Sequence, residues 1–148
     1  MREFQNNGIQ SQVYFVKKNI QRYTQRKNLK VCDLASGTGW MSAQLSNLDS
    51  ISEIHAIDFS KHRISGYFEK MVKLLNGRGE KISRYLGSFY NTPFTEQKFD
   101  VVILAQAFHH ADNPISLLKE CKRILKKSGL LLITGEQRIS KFLLFYRI

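Results

Sequence analysis

A chain of 148 residues, 43% of them hydrophobic, is long enough to bury one core and short for more than one domain. The polar start "MREFQNNGIQSQ" lacks the apolar stretch of a secretion signal, and no apolar run nears membrane-spanning length, so a cytoplasmic location without a membrane partner is expected. Lys and Arg number 23 against 12 Asp and Glu, and the net charge of +11 keeps a nucleic-acid partner open.

In chain order, residues 9–26 carry Ile9, Val13, Val16, Ile20 and Tyr23 at the three-four spacing of an amphipathic helix. Residues 30–34 read as a short buried strand. Residues 37–48 read as a helix with Met41, Leu45 and Leu48 on one face. The run "EIHAID", 53–58, predicts a second strand. Ser60 is placed to cap a helix whose apolar face is Ile64, Tyr67, Phe68, Met71, Leu74 and Leu75, ended by Gly77 and Gly79. "KISRYL", 81–86, predicts a third strand, and "FDVVILA", 99–105, a fourth that is covered on both faces. Asp112 or Asn113 caps a helix with Pro114 in its first turn. Its buried face is Leu117, Leu118, Cys121, Ile124 and Leu125. Lys126 and Lys127 suit its C-terminal dipole, and Gly129 ends it. "LLLIT", 130–134, predicts a fifth strand, followed by a short apolar helix over 139–148. The basic residues fall between apolar ones at helical spacing, as on solvated helix faces.

Strands alternating with helices predict one α/β domain, a mostly parallel sheet of about five strands with helices on both faces. In such sheets ligands bind beyond the carboxyl ends of the strands, where strand order reverses. The stretch "VCDLASGTGW", 31–40, lies at that end of the first strand. Gly37 and Gly39 permit a sharp turn and close approach of a ligand to the backbone. Asp58 ends the second strand, where a carboxylate can accept hydrogen bonds from both hydroxyls of a ribose. A nucleoside-containing ligand is the expectation. Ser42 stands where a dinucleotide fold needs its third glycine, and Trp40 is bulky beside the helix start, which argues against NAD. No Gly-Lys-Ser/Thr follows, so a phosphate-binding P-loop is excluded.

These segments resemble the class I S-adenosylmethionine-dependent methyltransferases. "VCDLASGTGW" is similar to their first motif and "IHAIDFS" to their second. "YLGSFYNTPFTEQKFDVVILAQAFHHADNP" resembles the third and fourth, and "LLKECKRILKKSGLLLIT" the fifth. The resemblance spans most of residues 29–135 and is nearest the branch that methylates small molecules, such as the quinone-biosynthesis type. It implies a three-layer Rossmann-like sheet, S-adenosyl-L-methionine as cofactor and a small-molecule acceptor. It also implies a cofactor site of Asp33, Ala35, Ser36, Gly37, Gly39, Asp58, Phe59, Ser88, Phe89, Ala105 and Gln106. Ala35 replaces the first glycine of the first motif. Ser88 stands where many members carry an acid that contacts the adenine amino group.

An acceptor hydroxyl or acidic carbon needs a general base, and His109 and His110 follow the fourth strand at the ligand-binding end. Cys32 and Cys121 lie in regular structure and are expected to be buried thiols, not nucleophiles. No metal-ligand spacing is present. The family adds a hairpin after the fifth strand, for which "EQRISKFLLFYRI" is too short. A second copy of the chain, another subunit or further sequence is therefore expected to cover that sheet edge. An RNA methyltransferase and a non-catalytic cofactor-binding module are the alternatives.

Overall fold

A computed structural model describes residues 2–136 of the chain, with side chains from residue 8 onward. The elements run α1 (Arg2–Tyr23), β1 (Leu29–Leu34), α2 (Trp40–Ser46), β2 (Ile51–Asp58), α3 (Phe68–Leu74), β3 (Ile82–Leu86), β4 (Phe99–Ala105), α4 (Pro114–Ile124) and β5 (Leu125–Thr134). The helix expected over 139–148 lies outside the described residues.

The five strands form one parallel sheet in the order β3-β2-β1-β4-β5. β1 pairs with β2 on one side and β4 on the other, so strand order reverses between β1 and β4. Every residue of β4 is buried, as a central strand with helices on both faces requires. Val31, Ile54, Val101 and Ile103 face α1 and α2, where Val16, Ile20, Met41 and Leu45 pack on them. Cys32, Leu34, Val102 and Leu104 face the other way, onto Leu117, Cys121 and Ile124 of α4. Both cysteines are free and buried, and burial raises both thiols, Cys121 to about 12. No helix among the described residues is long and apolar enough to cross a membrane.

Three elements depart from the periodicity. α1 ends at Tyr23, which is exposed together with Ile9, leaving Val13, Val16 and Ile20 as its buried face. The helix after β2 begins with a π-helical turn over Arg63–Tyr67. That turn adds a residue to the helical repeat, so Ile64, Phe68 and Val72 point inward while Tyr67 and Leu74 face solvent. α4 stops at Ile124, and residues 126–129, expected to finish the helix, belong to β5. There the register jumps from Phe99 opposite Leu125 to Val101 opposite Leu130. Lys126 meets Asp100 at this irregularity, Nζ to Oδ1 at 2.8 Å, instead of serving a helix terminus. Asn113, not Asp112, caps α4: its Oδ1 accepts the Ser116 N–H at 3.0 Å.

Candidate functional site

The turn after β1 is built from backbone that few side chains tolerate. Ala35, Gly37 and Gly39 all take positive φ, at 54°, 56° and 82°. The Ser36 N–H donates to Ile57 O at the end of β2, and the Gly39 N–H to Ser36 O, which locks the loop against the sheet. The two glycines do different work. A Cβ at Gly39 would lie 2.5 Å from the Phe68 ring, so this glycine makes room for α3. A Cβ at Gly37 would meet nothing within 4 Å, and Gly37 lines an open cavity. Gln106, at φ 54°, lies directly after β4 on the opposite wall. Left-handed backbone at Ala35 costs about 1–2 kcal/mol, and strain of this kind gathers where a ligand is held.

That cavity, of about 330 Å³, sits over the carboxyl ends of β1, β2 and β4 at the reversal of strand order. Ala35, Ser36, Gly37, Asp58, Phe59, Phe89, Ala105, Gln106 and His110 all line it. A second cavity of about 400 Å³ adjoins it and contains Ser88, Tyr90 and Asp112; Phe59, Arg63, Phe89 and His110 border both. The two form one cleft. Asp33 and Gly39, expected for the site, are not among its lining residues.

Three polar groups of the cleft, Asp58, Ser36 and His110, bear on what it can hold, and Asp33 lies beside it. Asp58 is buried, and its Oδ2 accepts the Gly37 N–H at 2.9 Å while Oδ1 accepts the Ser60 N–H at 2.8 Å. Each oxygen keeps acceptor capacity for a hydroxyl. Ser36 Oγ is buried without a hydrogen-bond partner; among the described residues only Gln12 Oε1 shares that state. An unpaired buried hydroxyl costs about 1–3 kcal/mol, a cost that a polar ligand removes. Asp33 is buried beneath the turn and accepts from Ser42 Oγ at 2.6 Å, and burial pushes its carboxyl up to about 6. His110 borders the cleft, whereas His109 turns away: its Nδ1 donates to Glu136 Oε2 at 2.9 Å. Glu136 also accepts the Phe108 and His109 backbone N–H groups at 3.1 and 3.0 Å, and so fixes the short helical turn Phe108–His110.

Thr38, Trp40, Arg63, Tyr90, Ala107 and Asp112 complete the lining and were not singled out for the site by sequence reasoning. Thr38 and Trp40 were within reach, because they alternate with the glycines. Arg63 owes its place to the π-helical turn, which no residue pattern announces. Asp112 carries the same local signature as a helix cap.

A parallel sheet with a glycine turn and a buried acid at the strand-order reversal defines a nucleoside-binding α/β protein. Comparison with known proteins narrows the class. A family model described as a methyltransferase domain matches residues 32–133. The demethylmenaquinone methyltransferase of Thermotoga maritima is 32% identical over 104 residues, covering 70% of this chain and 42% of that protein. The ubiquinone biosynthesis O-methyltransferase of Glaesserella parasuis is 28% identical over 123 residues, covering 76% of this chain and 47% of that protein. Among solved structures, a Methanococcus maripaludis protein provisionally assigned as an S-adenosyl-L-methionine-dependent methyltransferase superposes with a TM-score of 0.73 at 25% identity, covering 84% of this chain and 55% of that one. The chain belongs to the class I S-adenosylmethionine-dependent methyltransferase family. It spans about half the length of the curated relatives it matches.

Proposed function

We propose that the cleft binds S-adenosyl-L-methionine and presents it to a small-molecule acceptor for methylation. The observation that carries this reading is the pairing, at one strand-order reversal, of an open glycine turn and a partnerless buried hydroxyl, Ser36, with a carboxylate, Asp58, held by two backbone N–H groups. The residues suit the group: Asp58 takes the ribose hydroxyls, the 35–37 turn with Ala105 and Gln106 takes the amino-acid end, and Phe59 and Phe89 flank the base. When bound, the cofactor supplies a methyl group already activated on a sulfonium. The chain's contribution is alignment and exclusion of water. The menaquinone and ubiquinone relatives support a small acceptor whose reacting atom carries a proton. Charge supports a small acceptor too, since among the described residues Arg63 is the one Lys or Arg that lines the cleft.

In this reading His110, which borders the cleft, takes that proton on an imidazole nitrogen. His109, tied to Glu136, positions the loop. With an acceptor in hand, His110→Ala is expected to lower kcat by about 100-fold or more while leaving cofactor affinity within about twofold. His109→Ala is expected to lose less. Full turnover in the His110 variant would leave alignment alone as the chain's role.

A further inference from the structure

Resting on the reading of the cleft as an S-adenosylmethionine site, we infer that Asp112 reads the exocyclic amino group of the nucleobase and sets the preference for adenine. Asp112 lines the cavity that also holds Ser88 and Phe89. Its carboxylate has no hydrogen bond or ion pair among the described residues. It is not needed to cap α4, since Asn113 does so. The other carboxylate in the cleft, Asp58, is committed to the Gly37 and Ser60 N–H groups at the ribose end. Ser88 supplies no charge, and its Oγ already accepts the Tyr90 N–H at 3.1 Å.

The loop that carries Asp112 is pinned beside that wall. Tyr90 Oη accepts the Asn113 N–H at 3.0 Å, linking the 88–90 segment to the residue next to Asp112. A planar base between Phe59 and Phe89 would therefore meet a carboxylate on one edge. An adenine presents an amino donor and a ring-nitrogen acceptor on that edge, and an ionised carboxylate can only accept. The Phe89 N–H, which has no acceptor among the described residues, is a donor on that wall for the ring nitrogen. A hypoxanthine reverses both groups, setting an oxygen against Asp112 and an N–H against Phe89.

Calorimetric titration with S-adenosylhomocysteine and with its hypoxanthine counterpart tests this. The parent chain is expected to prefer the adenine compound by about tenfold or more, which is 1.4 kcal/mol or more. Asp112→Asn, whose amide can donate as well as accept, is expected to bring the two affinities within about twofold. Its melting temperature should stay at the parental value, because the α4 cap is untouched. Asp112→Glu should keep the preference, and Ser88→Asp added to Asp112→Asn should restore it, since an acid at 88 faces the same cavity. An undiminished preference in Asp112→Asn overturns the inference, as does a parent that binds both compounds equally while the cofactor reading stands. A parent that binds neither compound overturns both.

Discussion

Asp33 and Asp58 end adjacent strands and are almost equally buried, yet their surroundings differ. Asp58 receives two backbone N–H groups from separate residues, Gly37 and Ser60, whereas Asp33 is served by Ser42 alone, through its hydroxyl and its backbone, and lies close enough to Asp58 to feel its charge. Burial, opposed by the Ser42 hydrogen bonds and reinforced by Asp58, raises the Asp33 carboxyl from 3.8 to about 6. The folded chain then holds the Asp33 proton more tightly than the unfolded chain does. Below pH 3.8 the group is protonated in both states. As pH rises through 6 its stabilising contribution disappears, a loss of about 3 kcal/mol. Asp33→Asn keeps an acceptor for Ser42 and removes the charge. It is expected to melt several degrees above the parent at pH 8 and at nearly the same temperature at pH 4. A variant that melts lower at pH 8 would show that the ionised Asp33 is well solvated or paired. What was legible at this scale was whatever local order determines: an acid at a strand end and a small-residue turn. The separate duties of Gly37 and Gly39 were not, because Phe68, 29 residues further on, decides them. Nor could "HH" by itself separate His109 from His110; Glu136 does that from the far end of β5.

Among the elements, β1 and β4 match the expected spans closely because buried parallel strands are short apolar runs with clear ends, whereas β5 begins at Leu125, before the apolar run that announces it. The segment after β2 shows where period-counting stops working. Its expected face included Tyr67 and Leu74, and the π-helical turn over Arg63–Tyr67 rotates both to solvent. The same turn brings Arg63 into the cleft and seats Phe68 over Gly39. Gly39→Ala must take φ 82° with a side chain and drive a methyl into the Phe68 ring. It is expected to cost about 2–4 kcal/mol in urea unfolding. Adding Phe68→Leu should recover part of the cost by opening space, a coupling that the double-mutant cycle reads directly. A loss under about 0.5 kcal/mol for Gly39→Ala would mean that the turn and α3 are not locked together. At the end of α4, Lys126, Lys127 and Gly129 have the composition of a helix terminus. They lie in β5, which pairs with β4 across the register irregularity between Phe99 and Val101, and there Lys126 Nζ meets Asp100. Such long-range ion pairs leave no periodic trace.

Over the whole molecule, six of the 23 Lys and Arg residues face a carboxylate among the described residues. Arg26 and Lys126 approach Asp100, Lys30 Glu53, Lys73 Glu69, Arg78 Asp49 and Arg123 Glu120. Lys81 donates to the carbonyls of Leu48 and Ile51. Exposed pairs of this kind stabilise little, and among the described residues Arg63 alone of the Lys and Arg side chains lines the cleft. The cleft itself combines an open glycine turn, a partnerless serine, two carboxylates, two phenylalanines and a histidine. This set suits the nucleoside and amino-acid tail of the proposed cofactor. The measurement that bears on this most directly is calorimetric titration of the chain with S-adenosylmethionine, beside Asp58→Ala and with NAD as competitor. One site per chain is predicted, weakened by about 1–3 kcal/mol in Asp58→Ala, with no displacement by NAD. Absence of binding, a preference for NAD, or unchanged affinity in Asp58→Ala would contradict the assignment of this cleft.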